Sequence, residues 1–261
     1  MESSAGRALF FCITLILFVF LLPEFFGMKY KRILLKLSGE SLMGDDVYGI
    51  QYPMVHHFAS EIQSAVAQGV QVGVVIGGGN IFRGVQGSSK GFDRRQGDQM
   101  GMLATVINAM AVQAVLEEMG VKAKVLTAMA IEGVSEKISW RKAVELLESG
   151  YVVLMGGGTG NPFFTTDSGA ALRAVEIRAD LLLKGTRVDG VYTADPEKDP
   201  TATKYTNLTF DEAYRNNLKI MDMTAFTLCK ENKMPIYVYD ANQPGNLLKV
   251  LQGEPIGTLL Q

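Results

Sequence analysis

From Arg32 onward the chain alternates short apolar runs with stretches of helical period, and no other feature restricts its fold as much. Arg32–Leu37, "RILLKL", reads as a buried strand. Pro53–Gln68 reads as a helix, with Val55, Phe58, Ile62 and Val66 on one face, Pro53 suiting the first turn and Gly69 the stop. The same reading predicts strands at Val72–Ile76, "AKVLTAM" (123–129), Tyr151–Met155, "DLLLKG" (180–185) and Ile236–Tyr239. It predicts helices over Asp98–Met119, Ser139–Glu148, Asp167–Ile177, Phe210–Tyr214 and Thr224–Asn232, then a last helix and strand. Strands separated by helices give an α/β fold, a mostly parallel open sheet with helices on both faces. Residues 28–261 show no repeat or low-complexity stretch, and they read as one α/β domain with two closely joined lobes.

Composition removes several function classes. With 48% apolar residues, 261 positions suffice for one sizeable core. A formal charge of −2 offers no basic surface for nucleic acid. The two cysteines, Cys12 and Cys229, lie far apart, which argues against a disulfide framework or a thiolate zinc site and for a reducing compartment. The two histidines are neighbours, His56 and His57, expected on one helix with one facing in and one out. That scarcity weighs against hydrolase triads and His-rich metal sites. Residues 1–27 differ from the rest. Ala8–Leu22 is an uncharged apolar run, shorter than a comfortable membrane span and nearer to a signal-peptide core. Of a mis-called start before Met28, an export signal and a membrane anchor, the first is expected, with the working protein cytoplasmic.

Ligands of open α/β sheets bind beyond the carboxyl ends of the strands. Three such ends carry glycine- or hydroxyl-rich turns: Lys36-Leu37-Ser38-Gly39-Glu40, Gly77-Gly78-Gly79-Asn80 leading into Ile81-Phe82-Arg83-Gly84, and Gly156-Gly157-Gly158-Thr159 leading into "GNPFFTTD" (160–167). One glycine run alone reads best as a tight turn. Three at equivalent ends read as a ligand site, because glycine lets the backbone approach closely and successive N–H groups nest an anion. Known phosphate loops fail here: no G-x-x-x-x-G-K-[ST] occurs, and Phe82 and Asn161 occupy the last glycine of G-x-G-x-x-G. Lys36 is then a candidate to bridge a transferring phosphoryl group, against a solvated strand-end lysine. Arg83 is a candidate to fork onto a phosphate, against an ordinary surface arginine. In the long polar excursion Leu183–Pro200, Thr186, Tyr192 and Asp195 are candidates to touch a nucleotide.

Together, "KRILLKLSGE", "GVVIGGGNIFRG", "GDQMGMLATVINAMA", "GTGNPFFTTDSGAALRA" and "VDGVYTADPEKDPTA" resemble bacterial UMP kinase, of the amino acid kinase superfamily, from about Tyr30 to the C-terminus. The resemblance implies a three-layer sandwich that transfers the γ-phosphoryl of ATP to UMP with Mg²⁺. It implies ATP contacts at Lys36, Leu37, Ser38, Gly39, Gly79, Arg83, Thr186, Tyr192 and Asp195. It puts the UMP phosphate on Gly78 and Arg83, the UMP ribose on Asp98, and uracil with its phosphate within Thr159, Gly160, Asn161, Pro162, Phe163, Phe164, Thr165 and Thr166. Lys36, Asp167 and, more weakly, Asp222 are the implied catalytic residues. One of Phe163 and Phe164 is expected in the core and the other against the base. The family is typically a homohexamer responding to GTP and UTP, and Gly44, Asp45, Asp46, Val47, Tyr48 and Gly49 match where the GTP response is placed. Lys124 and Tyr151 depart from arginines that some relatives carry nearby. Two competing readings keep the fold: phosphorylation of a carboxylate or carbamate, and nucleotide binding without turnover. "GNPFFTTD" argues against the first, and Lys36 with Arg83 and Asp167 against the second.

Overall fold

The structure, a computed structural model, describes residues 28–83 and 91–261. The 1–27 segment, with Cys12, and Gly84 lie outside the described residues. Among the described residues, eleven strands and seven α-helices follow in order: β1 Arg32–Leu37, α1 Tyr52–Ala67, β2 Gln71–Ile76, α2 Arg94–Glu118, β3 Ala123–Thr127, β4 Glu136–Lys137, α3 Trp140–Glu148, β5 Val152–Gly156, α4 Thr166–Glu176, β6 Leu181–Thr186, β7 Val191–Tyr192, β8 Lys204–Tyr205, β9 Asn207–Leu208, α5 Phe210–Arg215, α6 Met223–Glu231, β10 Ile236–Asp240, α7 Asn246–Gln252 and β11 Thr258–Leu260. The main sheet runs β4-β3-β5-β2-β1-β6-β10-β11-β9. Its pairings are parallel except for β10 with β11. β7, inside the long polar excursion, forms a separate antiparallel pair with β8 just beyond it, a hairpin too short to leave a periodic signal.

The two-residue period of β1 divides the core. Ile33, Leu35 and Leu37 enter one apolar cluster with α1, the later turns of α2, and α7. Leu34 points the other way, into a cluster with α3, α4, α5 and α6. Both faces are therefore dry, as a mostly parallel sheet requires. α2 is long and apolar enough to cross a membrane, but its inner residues Val106, Ala109, Val112 and Leu116 are buried against the sheet. Of the neighbouring histidines His56 is exposed, while His57 is half-buried and its Nε2 lies 3.1 Å from the Ala241 carbonyl.

The boundaries shift from the sequence reading where capping decides. α2 starts at Arg94 rather than Asp98, because the Asp93 carboxylate caps it by accepting the Arg95 N–H at 2.9 Å. β3 stops at Thr127 instead of continuing to Met129. There the Thr127 hydroxyl turns back onto the Met129 carbonyl at 2.6 Å.

Candidate active site

The sheet order determines which loops meet. β5 and β2, with their glycine loops, are separated by one strand from β6, and that strand is β1, which carries Lys36. Lys36 and Lys184 are direct partners in the β1–β6 register. Both alternate onto the face covered by α4, whose first turn holds Asp167. Lys36 Nζ lies 2.8 Å from Asp167 Oδ1, an ion pair out of line for a hydrogen bond. Lys184 Nζ donates to Asp167 Oδ2 at 2.8 Å and also to the Ile220 carbonyl. All three side chains are at most 15% exposed, so water screens them weakly. Burial pushes the Asp167 pKa up, but the two ammonium groups outweigh it and hold the carboxyl below its ordinary range. Burial, joined by the like charge of Lys36, lowers the Lys184 pKa against the pull of Asp167. The centre thus holds two cations on one carboxylate, a local excess of positive charge facing the strand ends.

A cleft opens on each side of this centre. On the β2–β5 side, about 470 Å³ is lined by Gly78, Gly79, Phe82, Arg83, Arg94, Asp98, Met102, Thr105 and, from the loop after β5, Gly158, Thr159, Asn161, Phe164, Thr165 and Thr166. On the β6–β10 side, about 530 Å³ is lined by Lys184, Thr186, Tyr192, Asp195 and Asn216–Ile220. A third opening of about 410 Å³, over Lys36, Ser38, Glu40, Lys184 and Thr186, shares Lys184 and Thr186 with the β6–β10 cleft. The sequence candidates therefore fall into two sets flanking one charged centre. Gly79 and Arg83, which the resemblance also assigns to ATP, line the same cleft as Gly78 and Asp98. Leu37 is core, 1% exposed, and can contribute only its backbone. Gly44 and Asp45 line the opening beside Lys36. Val47 and Tyr48 stand exposed, and Asp46 accepts a side-chain hydrogen bond from Gln51.

The glycine loops owe their shape to close approach. A Cβ on Gly78 would sit 2.7 Å from the Gly101 carbonyl oxygen and 2.8 Å from the Ala104 Cβ. Gly157, Gly158 and Gly160 have φ of 79°, 56° and 82°, a region that disfavours other residues. Arg173, 6% exposed on α4, donates to the Gly158 carbonyl at 3.0 Å and pairs with Glu176 at 2.6 Å. Thr165 caps α4 by accepting the Asp167 N–H at 3.1 Å and the Ser168 N–H at 3.3 Å. The helix thereby points its N-terminus at the junction of the clefts.

One expectation needs correction. Neither Phe163 nor Phe164 is core: they are 65% and 47% exposed. Phe164 walls the cleft. Phe163 takes a left-handed φ of 73°, held by its N–H donating to Asp98 Oδ2 at 2.8 Å, and so faces outward under the Arg94 guanidinium. Gly160, Pro162 and Phe163 shape the loop from outside the cleft lining. Asp222 serves as the cap of α6, accepting the Ala225 N–H at 3.0 Å, and it also accepts the hydroxyls of Thr165 and Ser168. Its charge also reaches Lys184, whose pKa it helps to hold up against burial. Arg83 is turned onto Glu40 at the cleft rim. That pair is exposed and worth little, so the guanidinium can exchange its carboxylate for a phosphate at small cost.

Sequence reasoning missed Lys184 and Arg94. Lys184 had a signal, a lysine ending the apolar run "DLLLK", as Lys36 does in "RILLK". Arg94 precedes Asp98 by one helical turn and bonds both its oxygens, at 2.9 and 2.8 Å, a spacing hidden until the helix was known to start there. Cys229 is buried. Burial, with the charges of Asp167 and Asp222, pushes its thiol up to about 12, which removes thiolate chemistry. Among the described residues no group of three or more His, Cys, Asp or Glu side chains is arranged to hold a metal ion.

The amino acid kinase family model matches residues 31–240. The chain is 62% identical to the uridylate kinase of Parabacteroides distasonis over 232 residues, covering 89% of this chain and 98% of that one. It is 62% identical to the uridylate kinase of Porphyromonas gingivalis over 229 residues, covering 88% and 96%. Among solved structures, the UMP kinase of Bacillus anthracis superposes with a TM-score of 0.86 at 37% identity, covering 89% of this chain and 96% of that one. The UMP kinase of Ureaplasma parvum gives 0.85 at 36%, covering 90% and 100%. With the match spanning most of the chain and the strand-end site assembled as described, this protein belongs to the amino acid kinase family, in its uridylate kinase branch.

Proposed function

We propose that this chain transfers the γ-phosphoryl group of ATP to UMP, giving ADP and UDP. One observation carries the reading: two clefts of nucleotide size flank a buried centre of two lysines on one carboxylate, one lined by Lys184 and the other by Thr166 beside Asp167. Phosphoryl transfer needs two anions held in line and cations where charge gathers on the transferring oxygens. Thr186, Tyr192 and Asp195 hold the donor, and Ser38 and Gly39 receive its phosphates beside Lys36. Gly78 and Arg83 hold the acceptor phosphate, Asp98 the ribose, and the loop from Thr159 to Thr166 the uracil. Asp167 keeps both ammonium groups aimed at the junction. The acceptor phosphate is already ionised at neutral pH, so no general base is required.

The donor set suits a Mg²⁺ ion that arrives on the nucleotide phosphates with its water shell, since Asp167 is neutralised by two lysines and, among the described residues, no acidic cage surrounds it. When bound, that ion supplies further neutralisation of phosphate charge. The reading extends to a homohexamer working in the cytoplasm in pyrimidine nucleotide synthesis, with GTP and UTP as effectors and the Gly44–Gly49 segment as the responsive one. Support for assembly is the exposed apolar stripe Leu103, Ile107 and Met110 along α2. Phosphorus NMR of the protein with ATP, UMP and Mg²⁺ tests the reaction. The expected products are UDP and ADP in equal amounts, and ADP released as inorganic phosphate accumulates, without UDP, would overturn it.

A further inference from the structure

α2 runs past both glycine loops, and its buried side holds polar groups where a core helix normally has none. Asn108 is fully buried and Thr105 is 7% exposed. They are three residues apart and so share a face of the helix. Each grips a different loop. The Thr105 hydroxyl accepts the Gly157 N–H at 2.8 Å and donates to the Met102 carbonyl at 2.6 Å. Asn108 Nδ2 donates to the Gly77 carbonyl at 2.7 Å. The Asn108 amide also pairs reciprocally with that of Asn80, at 2.7 and 3.0 Å. Asn80 continues the chain of contacts to the Gly49 carbonyl at 2.8 Å.

We infer that α2 is the element that sets the spacing of the two acceptor loops, with Thr105 and Asn108 as its positioning residues. The inference rests on the proposed reaction. Apolar side chains of the same shape would suffice for packing, and burying a hydroxyl and an amide is unfavourable unless each is bonded. Here every bond noted goes to a loop backbone or to its neighbour Asn80, or closes the helix's own turn. A helix is stiff, so a rise of about 1.5 Å per residue converts sequence spacing into a fixed loop-to-loop distance. Thr105 lines the acceptor cleft, yet its hydroxyl oxygen already serves Gly157 and Met102. It therefore acts on the substrate through the loop. Asn108 differs in one respect. Its partner Asn80 abuts the donor-side turn, where a Cβ on Gly39 would meet Asn80 Oδ1 at 2.4 Å.

The two residues therefore make separable predictions. Thr105→Val keeps shape and removes the acceptor oxygen. It is expected to lower kcat/KM for UMP about 10- to 100-fold, mostly through KM, with the ATP KM within about twofold of wild type. Thr105→Ser keeps the hydroxyl and is expected to restore most of the loss. Asn108→Ala is expected to raise both KM values, because it also frees Asn80, which abuts the donor-side turn at Gly39. Steady-state kinetics on the full chain, with both substrates varied and Tm measured alongside, reads all three. Thr105→Ala is read in the same way if the valine variant does not fold. An unchanged UMP KM in the valine or alanine variant, or UMP and ATP KM values rising together there, would overturn the positioning role. A serine variant no better than valine would do the same. Wild type that forms no UDP would overturn the proposed reaction and this inference with it.

Discussion

Asp167 and its two lysines show how much one carboxylate can organise. Removing it leaves two ammonium groups buried side by side, and breaking a buried pair in this way costs about 3–5 kcal/mol. Asp167→Asn is thus expected to lose stability of that order in urea denaturation as well as turnover, and a variant as stable as wild type would contradict the burial argument. Lys36→Met tests the other half. Its charge matters most where the transferring phosphoryl gathers charge, so kcat should fall about 10²- to 10³-fold while UMP affinity by calorimetry holds. Near-normal kcat would remove Lys36 from its role. At this scale Lys36 and Arg83 were legible because glycine loops at strand ends mark them, while a catalytic Asp167 came only from the resemblance. Lys184 was passed over although it ends the run "DLLLK" with Gly185 after it, because its meaning comes from the β1–β6 register. The two phenylalanines were misread for a related reason. Adjacent aromatic residues after a proline look like core, and only the Phe163 N–H bond to Asp98 shows that the loop turns outward.

The elements were more legible than the residues, because strand and helix periods survive single-residue ambiguity. β1 has its expected bounds, while α2 began one turn early because Asp93, not Asp98, is its cap. What periodicity does not carry is one element holding another. Asp222 caps α6 and, through Thr165 and Ser168, also holds the first turn of α4. Loss of a cap costs about 1 kcal/mol. Asp222→Ala is therefore expected to lower stability by about that amount or more and to reduce kcat through Asp167 without abolishing it. Complete loss of turnover in a folded Asp222→Ala variant would return Asp222 to direct chemistry.

For the whole molecule, the central ion triad makes stability depend on pH in one direction. Asp167 has a lowered pKa in the fold, so its contribution is present above its unfolded pKa and is lost as pH falls through the folded one. Lys184 also has a lowered pKa, so between its folded and unfolded values the unfolded chain binds the extra proton and stability rises with pH. Both slopes have the same sign, but Asp167→Asn separates them when urea midpoints are compared across pH: the acid-side slope should flatten with the carboxylate gone, while the basic-side slope should persist or widen, because Asp167 no longer holds the Lys184 pKa up against burial. The sheet order that brings two clefts to one centre was not legible, since alternation states that strands are parallel but not which are neighbours. The loop proposed to read uracil was legible as a string, but its assignment to one cleft needed the fold. Uracil presents an N3–H donor and an O4 acceptor, and cytosine reverses both, so a pocket bonded to uracil meets two mismatches of about 1–3 kcal/mol each. The most direct test of the account is kcat/KM for UMP against CMP in a coupled ADP-release assay. The account predicts at least roughly a hundredfold preference for UMP, and comparable values for the two nucleotides would contradict it.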